Sequence, residues 1–186
     1  MKGFDRMLRK VLRDIQVELM DEFDRNFERE AFFSEAWQRR RSPVRPGGHT
    51  LVSSGSLRRS IRSEIEGGSV VFKSDLPYAA IHNEGGEIKV TRRMKSFFWH
   101  KYYSASGSFG RRKDGSLRRD KRNSRLTAEA EFWKCMALMK AGSTIRIPRR
   151  QFLGASPEVE QAVRDIIAEN IEEYIRAEFP GRTFRI

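Results

Sequence analysis

The sequence predicts an α+β fold, with long N-terminal and C-terminal helices packed on one antiparallel sheet. Apolar residues recur at three- and four-residue spacing near both ends of the chain, within residues 4–27 and 159–175. Between these ranges lie short alternating or β-branched segments bounded by glycine or proline. Helical periodicity at the ends and strand periodicity between them favour helices that cover an antiparallel sheet, because each kind of element must bury an apolar side.

The first helix is predicted by an apolar stripe. Its members are Phe4, Leu8, Val11, Leu12, Ile15, Leu19, Phe23 and Phe27. Charged residues fill the positions between them, and no proline or glycine interrupts residues 4–36. We expect the stripe to be a core face, with a face shared with a neighbouring subunit as the alternative. Two prolines and a Gly-Gly pair then predict a loop over residues 38–50.

The middle of the chain predicts strands. Residues 53–57 are compatible with a short helical turn, and residues 61–65 then alternate between apolar and polar. Glu66-Gly67-Gly68-Ser69 has the composition of a tight hairpin turn, and residues 70–73 provide the returning strand. Residues 88–91 and 144–147 predict two more short strands. The aromatic residues from 97 to 103 are expected either to continue the first of these or to cap the core.

Two helices are predicted in the C-terminal third. The first covers residues 128–140, with Gly142 placed to end it. The second begins after Ser156, whose side chain suits an N-cap, and Pro157 suits the first helical position. Pro180-Gly181 ends it. We expect one domain over residues 1–186.

The positive charge is concentrated in one segment. The formal net charge is +12, and residues 89–125 hold 13 basic and 2 acidic residues. Residues 104–125 contain few apolar side chains, so they bury too little surface to offset the entropy lost on ordering. The sequence therefore predicts a mobile loop there, within a mobile basic insertion over residues 101–127.

The basic segment predicts contact with a polyanion or an assembly partner. The residues expected to make it are Arg92, Arg93, Lys95, Arg111, Arg112, Lys113, Arg118, Arg119, Lys121, Arg122 and Arg125. Basic residues interleaved with aromatic ones are typical of surfaces that bind phosphates and stack on bases. An acidic protein surface that orders the segment on assembly is the alternative, and the sequence leaves both open.

Residue types suited to catalysis are scarce. The chain has three histidines and one cysteine, and it lacks a nucleophile elbow, an H-E-x-x-H pair and the glycine-rich phosphate motifs. His82 and Glu84 are spaced to activate water at a metal, which makes a metal-dependent hydrolase the third hypothesis. No further ligands have matching spacing, so we expect His82 to hydrogen-bond locally. The sequence predicts no catalytic residue, no metal site and no cofactor.

The cysteine count and hydropathy also limit the class of protein. Cys135 is the single cysteine, so no intrachain disulfide is expected. Charges recur through the first residues, unlike the continuous apolar region of a secretory signal, and no window approaches the apolar length of a membrane span. We expect a protein made in a cytoplasm that makes no membrane contact.

Three motifs resemble one known family. The segment from Pro77 to Gly85 contains Tyr78, Ala79, Ile81, His82 and Gly85, in the pattern Y-A-x-I-H-x-x-G. The segment from Ile147 to Gly154 contains Ile147, Pro148, Arg149, Phe152, Leu153 and Gly154, in the pattern I-P-x-R-x-F-L-G. The one departure is that Arg149 and Arg150 make two adjacent arginines, where a small residue is commoner in the variable position beside the pattern's arginine. An upstream motif has Leu51, Ser54, Gly55, Leu57, Ser60 and Ile61. Together they resemble the phage virion morphogenesis (tail completion) family over residues 1 to 178.

The resemblance implies a non-enzymatic structural protein encoded by a phage or prophage. Such proteins finish a tail or join it to the head, commonly as rings or in several copies. The implied partners are other virion proteins (tail tube, tail terminator or connector) and further copies of the chain. The implied location is the bacterial host cytoplasm during assembly, and then the virion. Non-specific DNA contact is compatible with this role, because DNA passes through a head–tail junction.

Overall fold

The structure, a computed structural model, describes residues 2–40, 42–44 and 47–180. Gly181, part of the predicted helix end, lies outside the described residues, as do three residues of the predicted 38–50 loop. The elements in chain order are α1 Lys2–Arg29, β1 Ala31–Phe32, β2 Glu35–Ala36, α2 Ser56–Arg59, β3 Ile61–Glu66, β4 Ser69–Ser74, α3 Ala79–Glu84, β5 Gly86–Lys89, α4 Arg92–Gly107, α5 Lys121–Leu138, β6 Thr144–Ile147 and α6 Pro157–Glu178.

The α+β class is confirmed, but the expected single sheet is wrong. Among the described residues the strands form three separate two-stranded antiparallel sheets, β1 with β2, β3 with β4, and β5 with β6. Gly67-Gly68 closes the β3–β4 hairpin as the turn composition predicts, because Glu66 pairs with Ser69. Alternation along a strand indicates that it pairs, but it does not indicate which pairs share a sheet.

The described residues form two compact units. The first draws on Met1–Trp37, Thr50–Asn83 and Arg150–Ile186, and the second on Gln38–His49 and Glu84–Arg149. The chain therefore passes from the first unit into the second twice and returns twice. The expectation of a single domain stays a prediction.

The core of the first unit is built on α1. Val11, Ile15, Leu19 and Phe23 are buried against β4 and the apolar side of α6. Phe27 belongs to a second buried cluster, with Trp37, Leu57, Ile61, Ala79 and Phe152. The predicted stripe is thus a core face over most of its length. Its first two members differ, because Phe4 is 49% exposed and Leu8 is 45% exposed.

Polar side chains also join α1 to α6. Lys10 Nζ donates to Asn170 Oδ1 at 2.8 Å and to Glu173 at 3.0 Å, and Asn170 Nδ2 donates to Asp14 at 3.0 Å. Burial by itself would raise the pKa of Asp14, but the hydrogen bonds from Asn170 and Lys10 outweigh it and lower the pKa. Asp14 is therefore a carboxylate at neutral pH, and its bonds fix the pairing of the two helices.

The start of α6 follows the sequence prediction. Ser156 is the N-cap, its hydroxyl accepts a hydrogen bond from Val159 N at 3.2 Å, and Pro157 is the first helical residue. Glu158 and Glu160 lie in the first turn, where the helix dipole favours negative charge. Because both signals are local, the sequence was sufficient to place this boundary.

The second unit consists of the β5–β6 sheet and a pair of helices. The sheet pairs Gly86 with Ile147 and Lys89 with Thr144, and Val90 N then donates to Ser143 O at 2.8 Å. In the chain, the antiparallel helices α4 and α5 lie between β5 and β6. The ring of Phe98 on α4 stacks on that of Trp133 on α5, with centroids 5.8 Å apart. This ring contact supplies apolar burial that the local composition does not reveal.

Two expectations for this unit are wrong. The aromatic residues at 97–103 lie in α4 rather than in a strand or a cap. The loop expected over residues 104–125 is confined to residues 108–120, because α4 continues to Gly107 and α5 begins at Lys121. Thr91 and Asp120 cap the two helices by accepting from Met94 N and Asn123 N, respectively. The mobility of the insertion stays a prediction.

Within the described part of the chain, every helix is too short or too polar to cross a lipid bilayer.

Candidate functional site

The first motif lies on and beside α3. Ala79 is buried in the core cluster, Ile81 and His82 are half-buried, and Tyr78 is 42% exposed. The helix begins where Ala79 N donates to Leu76 O at 2.9 Å. Pro77 precedes this turn and cannot extend a strand, so the chain changes from β4 to α3 here.

The side chain of Asn83 joins α3 to the second motif. Its Oδ1 accepts hydrogen bonds from Phe152 N at 2.9 Å and Leu153 N at 3.0 Å. One residue earlier, the His82 carbonyl accepts from Arg150 N at 2.8 Å. These three bonds satisfy the backbone N–H groups of Arg150, Phe152 and Leu153, in a segment that belongs to no helix or strand. The sequence did not single out Asn83; a lone amide between His82 and Glu84 was the available signal.

Phe152 and Leu153 extend from this segment into the core. Phe152 is 1% exposed, and its ring centroid lies 5.3 Å from that of Phe27. Leu153 packs against both core clusters of the first unit. Beside them, Trp37 Nε1 donates to Gln151 O at 2.6 Å. The second motif thus places the buried ring of Phe152 next to Gln151, whose carbonyl is bonded by Trp37.

His82 is placed as a neutral side chain. Burial, and then the charge of Arg150, lower the pKa of its imidazole. Its Nδ1 is buried and has no hydrogen-bond partner in the described structure, so the expected local bond is absent at this atom. The ring instead meets the Tyr78 ring edge-on, with centroids 6.1 Å apart. Such a ring is poorly suited to taking up a proton.

Metal ligands do not converge in the part of the chain that the structure describes. Within it, no three His, Cys, Asp or Glu side chains lie close enough together to hold a metal ion. Glu84, His49 and His100 are exposed. The described residues therefore offer no metal centre on which the hydrolase hypothesis could rest.

Gly85, Ile147, Pro148 and Arg149 lie in the second unit, where Gly85 has a strict conformational role. Its φ is +74°, and a Cβ atom there would lie 2.8 Å from Arg149 N and 3.0 Å from Arg149 Cα. Any other residue would be strained and would also collide with backbone. Ile147 pairs with Gly86 in the sheet, and Pro148 follows and ends β6.

The two arginines of the second motif differ in burial. Arg149 is exposed, whereas Arg150 is 8% exposed. Burial lowers the pKa of Arg150, although an arginine stays charged at neutral pH. Gly154 closes the motif with φ +126°, and a Cβ atom there would lie 3.0 Å from Gln151 Nε2.

The basic segment of the second unit has a hydrogen-bonded hairpin at its centre. Residues 108–120, which we name the basic turn, connect α4 to α5. Arg111 and Leu117 form an antiparallel bridge, Arg112 N donates to Ser116 O at 2.8 Å, and Asp114 accepts from Ser116 N at 2.9 Å. These hydrogen bonds are those of a short hairpin.

Asn123 anchors the basic turn to α5. It is 5% exposed, and its Nδ2 donates to Gly110 O at 2.8 Å and to Arg118 O at 2.7 Å. Its Oδ1 accepts from Gly110 N at 2.8 Å. The amide thus satisfies backbone groups at both ends of the turn. The sequence did not single out Asn123, because nothing local separates it from the other polar residues of the segment.

The eleven predicted contact residues all lie in the second unit. Arg92, Arg93 and Lys95 are on α4, Lys121, Arg122 and Arg125 are on α5, and the other five are in the basic turn. Lys95 is half-buried and the rest are exposed. Among the described residues, no ion pair includes any of them.

The acids of this segment do not neutralise its charge. Asp114 bonds the backbone and hydroxyl of Ser116, which lowers its pKa, and Asp120 caps α5. A cleft of about 1010 Å³ lies between the basic turn and α5. Three arginines (Arg112, Arg118 and Arg119) and the hydroxyls of Ser116, Ser124 and Thr127 line it. The second unit thus presents a concave, cationic surface.

Comparison with known proteins identifies one family. Residues 5–172 match the model of the phage virion morphogenesis family. Comparison with curated proteins and with solved structures found no match. The matched range contains all three motifs, the basic turn and every element as far as most of α6.

Proposed function

Because this chain belongs to the phage virion morphogenesis family, we propose that it is a non-enzymatic structural protein that completes the tail or joins it to the head. The family gives the chain a structural role in virion assembly. The observation that carries the finer proposal is the extent of the match: 5–172 of 186 residues, across both compact units.

The use of the motif residues supports a role without catalysis. Asn83 and the His82 carbonyl are occupied by backbone amides of the second motif. Phe152 fills the core, and Gly85 allows close approach of the Arg149 backbone. Residues with these roles stabilise the fold and do not form a catalytic site. The chain's function then depends on surfaces that contact other molecules.

The family indicates contact with other virion proteins. We place the chain against the tail tube, the tail terminator or the connector, as a ring or small homo-oligomer about the tail axis. It acts in the bacterial host cytoplasm during assembly and is retained in the virion. Light scattering on the purified protein measures its oligomeric state, and chemical cross-linking of virions tests whether copies are neighbours there. A monomer at assembly concentrations, together with no cross-links between copies in virions, would contradict the oligomer.

Deletion of the gene in its phage or prophage tests the role. We expect heads and tails to accumulate separately in electron micrographs, with infectious yield restored by the wild-type gene. Normal infectious yield without the gene would overturn the proposal. Because the phage supplies every other component, the readout isolates this chain.

A matched variant separates assembly from hydrolysis. The double variant His82→Phe, Glu84→Gln removes the basic nitrogens and the carboxylate while it keeps the volume of both side chains. We expect it to restore infectious yield. If the folded variant accumulates to wild-type levels but fails to restore yield, the hydrolase hypothesis gains support over the structural one.

A nucleic-acid-binding module is the second candidate function. The cations of the second unit that have no ion-pair partner in the described structure favour it. It is compatible with the first, because a protein at a head–tail junction surrounds the path of the DNA.

A further inference from the structure

The cleft beside the basic turn has the chemistry of an anion site. Arg112, Arg118 and Arg119 line it with three guanidinium groups, and Ser124 and Thr127 add hydroxyl donors from α5. Arginine presents a planar set of donors that matches the oxygens of a phosphate, and hydroxyls and arginines are common ligands of the nucleic-acid backbone. Glu131 is the one acid in the lining.

The lining favours phosphate over bases. Its one aromatic side chain is Phe109, which is half-buried. Single-stranded nucleic acids are usually held by exposed aromatic rings on which successive bases stack. A cleft with several guanidiniums and one partly covered ring instead suits a backbone whose bases are paired elsewhere.

The basic turn is arranged before any ligand arrives. Asn123 and the bridge between Arg111 and Leu117 hold its two strands together. Arg118 Nε also donates to Arg111 O at 3.1 Å. A preformed site loses less conformational entropy on binding than a flexible arm does. The backbone positions that carry the cations are therefore fixed before a regular polyanion binds.

An acidic surface on another copy of this chain is a poor match. Most acids along the second half of α1 are already paired, since Arg25 and Arg29 bond Glu22 and Arg58 bonds Glu28 at 2.7 Å. Each copy carries a formal net charge of +12, so contacts between copies cannot cancel it. Duplex DNA has one negative charge per about 1.7 Å of its axis, so it can neutralise this positive charge.

We propose that the cleft between the basic turn and α5 binds the phosphodiester backbone of double-stranded DNA without sequence specificity. Arg112 and Arg119 are the residues whose side chains are free to contact phosphates, since neither makes a side-chain hydrogen bond within the described structure. The inference rests on the proposed function only in naming DNA, rather than RNA, as the duplex that the protein meets.

The test is binding of the full chain to a short mixed-sequence DNA duplex over a salt series. The variant Arg112→Gln, Arg119→Gln removes two cleft cations and keeps Arg118, which helps to hold the turn. Losing two phosphate contacts should flatten the slope of log K against log salt by about 1.8, since each contributes about 0.9. The matched control is Arg6→Gln, Arg9→Gln, which removes the same charge from exposed positions on α1 and should leave the slope unchanged.

Four outcomes would overturn the proposal. The first is no retention of the wild-type chain on DNA at low salt, and the second is equal flattening by both double variants, which would indicate diffuse attraction to net charge. Equal competition by polyglutamate would point to an acidic protein partner, and tighter binding of single-stranded DNA would reject the duplex. Because binding is measured on purified protein and assembly in the phage, either proposal can fail alone.

Discussion

At the scale of single residues, Gly85 decides how the chain continues from α3 into β5. Its positive φ is available to glycine at little cost, and its missing Cβ leaves room for the backbone of Arg149. Gly142 near the other end of the β5–β6 sheet also has a positive φ, of +87°, but a Cβ atom there would meet nothing within 4 Å. The two glycines therefore separate conformational strain from collision.

We expect Gly85→Ala to destabilise the β5–β6 sheet more than Gly142→Ala does. Both variants incur strain, which costs about 1–3 kcal/mol for a residue held in a sparsely populated backbone region. Gly85→Ala adds the contact with Arg149 N. Hydrogen exchange of the β5 and β6 amides measures the difference, and equal loss of protection in the two variants would show that close approach at Gly85 is unimportant.

At the scale of elements, the basic turn depends on a single side chain of the neighbouring helix. Asn123 makes three hydrogen bonds to the backbone of Gly110 and Arg118. These backbone groups are partly buried, so removing their partner costs up to about 1–3 kcal/mol, the range for groups that lose a bond without fully regaining water. The turn should therefore unfold locally while α4 and α5 persist through their ring contacts.

We expect Asn123→Ala to accelerate amide exchange from Gly110 to Arg118, with little change in α4. Asn123→Asp keeps the acceptor for Gly110 N but loses both donated bonds, so it should give an intermediate effect. The same experiment tests the predicted mobility of the insertion. If these amides in the wild-type chain already exchange at the rate of an unfolded peptide, the turn is mobile and the anchoring role of Asn123 is wrong.

At the scale of the whole molecule, ionisable groups decide the pH range of stability. The pKa of His82 is lowered from 6.5 in the folded chain, so the unfolded chain binds a proton more readily. Stability is therefore full above about pH 6.5 and falls as the pH drops below that value. The pKa of Asp14 is lowered from 3.8, so its contribution is lost in a separate, more acidic range.

We expect the free energy of unfolding in urea to fall between about pH 7.5 and about pH 5.5, and His82→Phe to reduce that fall. His100→Phe is the matched control: it changes an exposed histidine, and we expect it to show the same fall in the free energy of unfolding as the wild-type chain. Far-ultraviolet circular dichroism measures both transitions. A fall of the same size in all three proteins would show that burial of His82 does not govern the acid limit.

Local signals account for the parts that the sequence predicted well. Ser156 and Pro157 placed the start of α6, Gly67-Gly68 placed the β3–β4 turn, and the three motifs identified the family that the comparison confirms. Of the candidate site, the sequence located the cations but not their arrangement. The helical state of residues 97–103 was missed, because the Phe98 ring is buried against Trp133 of the opposite helix. The start of α5 at Lys121, with Asp120 as its N-cap, was missed as well.

The sequence by itself determined the α+β class, the family, the start of α6, the β3–β4 turn and the concentration of charge in one segment, since the signal for each lies in neighbouring residues. Only the tertiary structure decided that the strands form separate pairs, that Arg150 rather than Arg149 is buried, and that Asn83 and Asn123 hold their segments. Asn83 bonds residues 69 and 70 positions away. Such a partner is chosen by folding, because a short polar side chain looks the same in the sequence whether water or a distant backbone amide satisfies it.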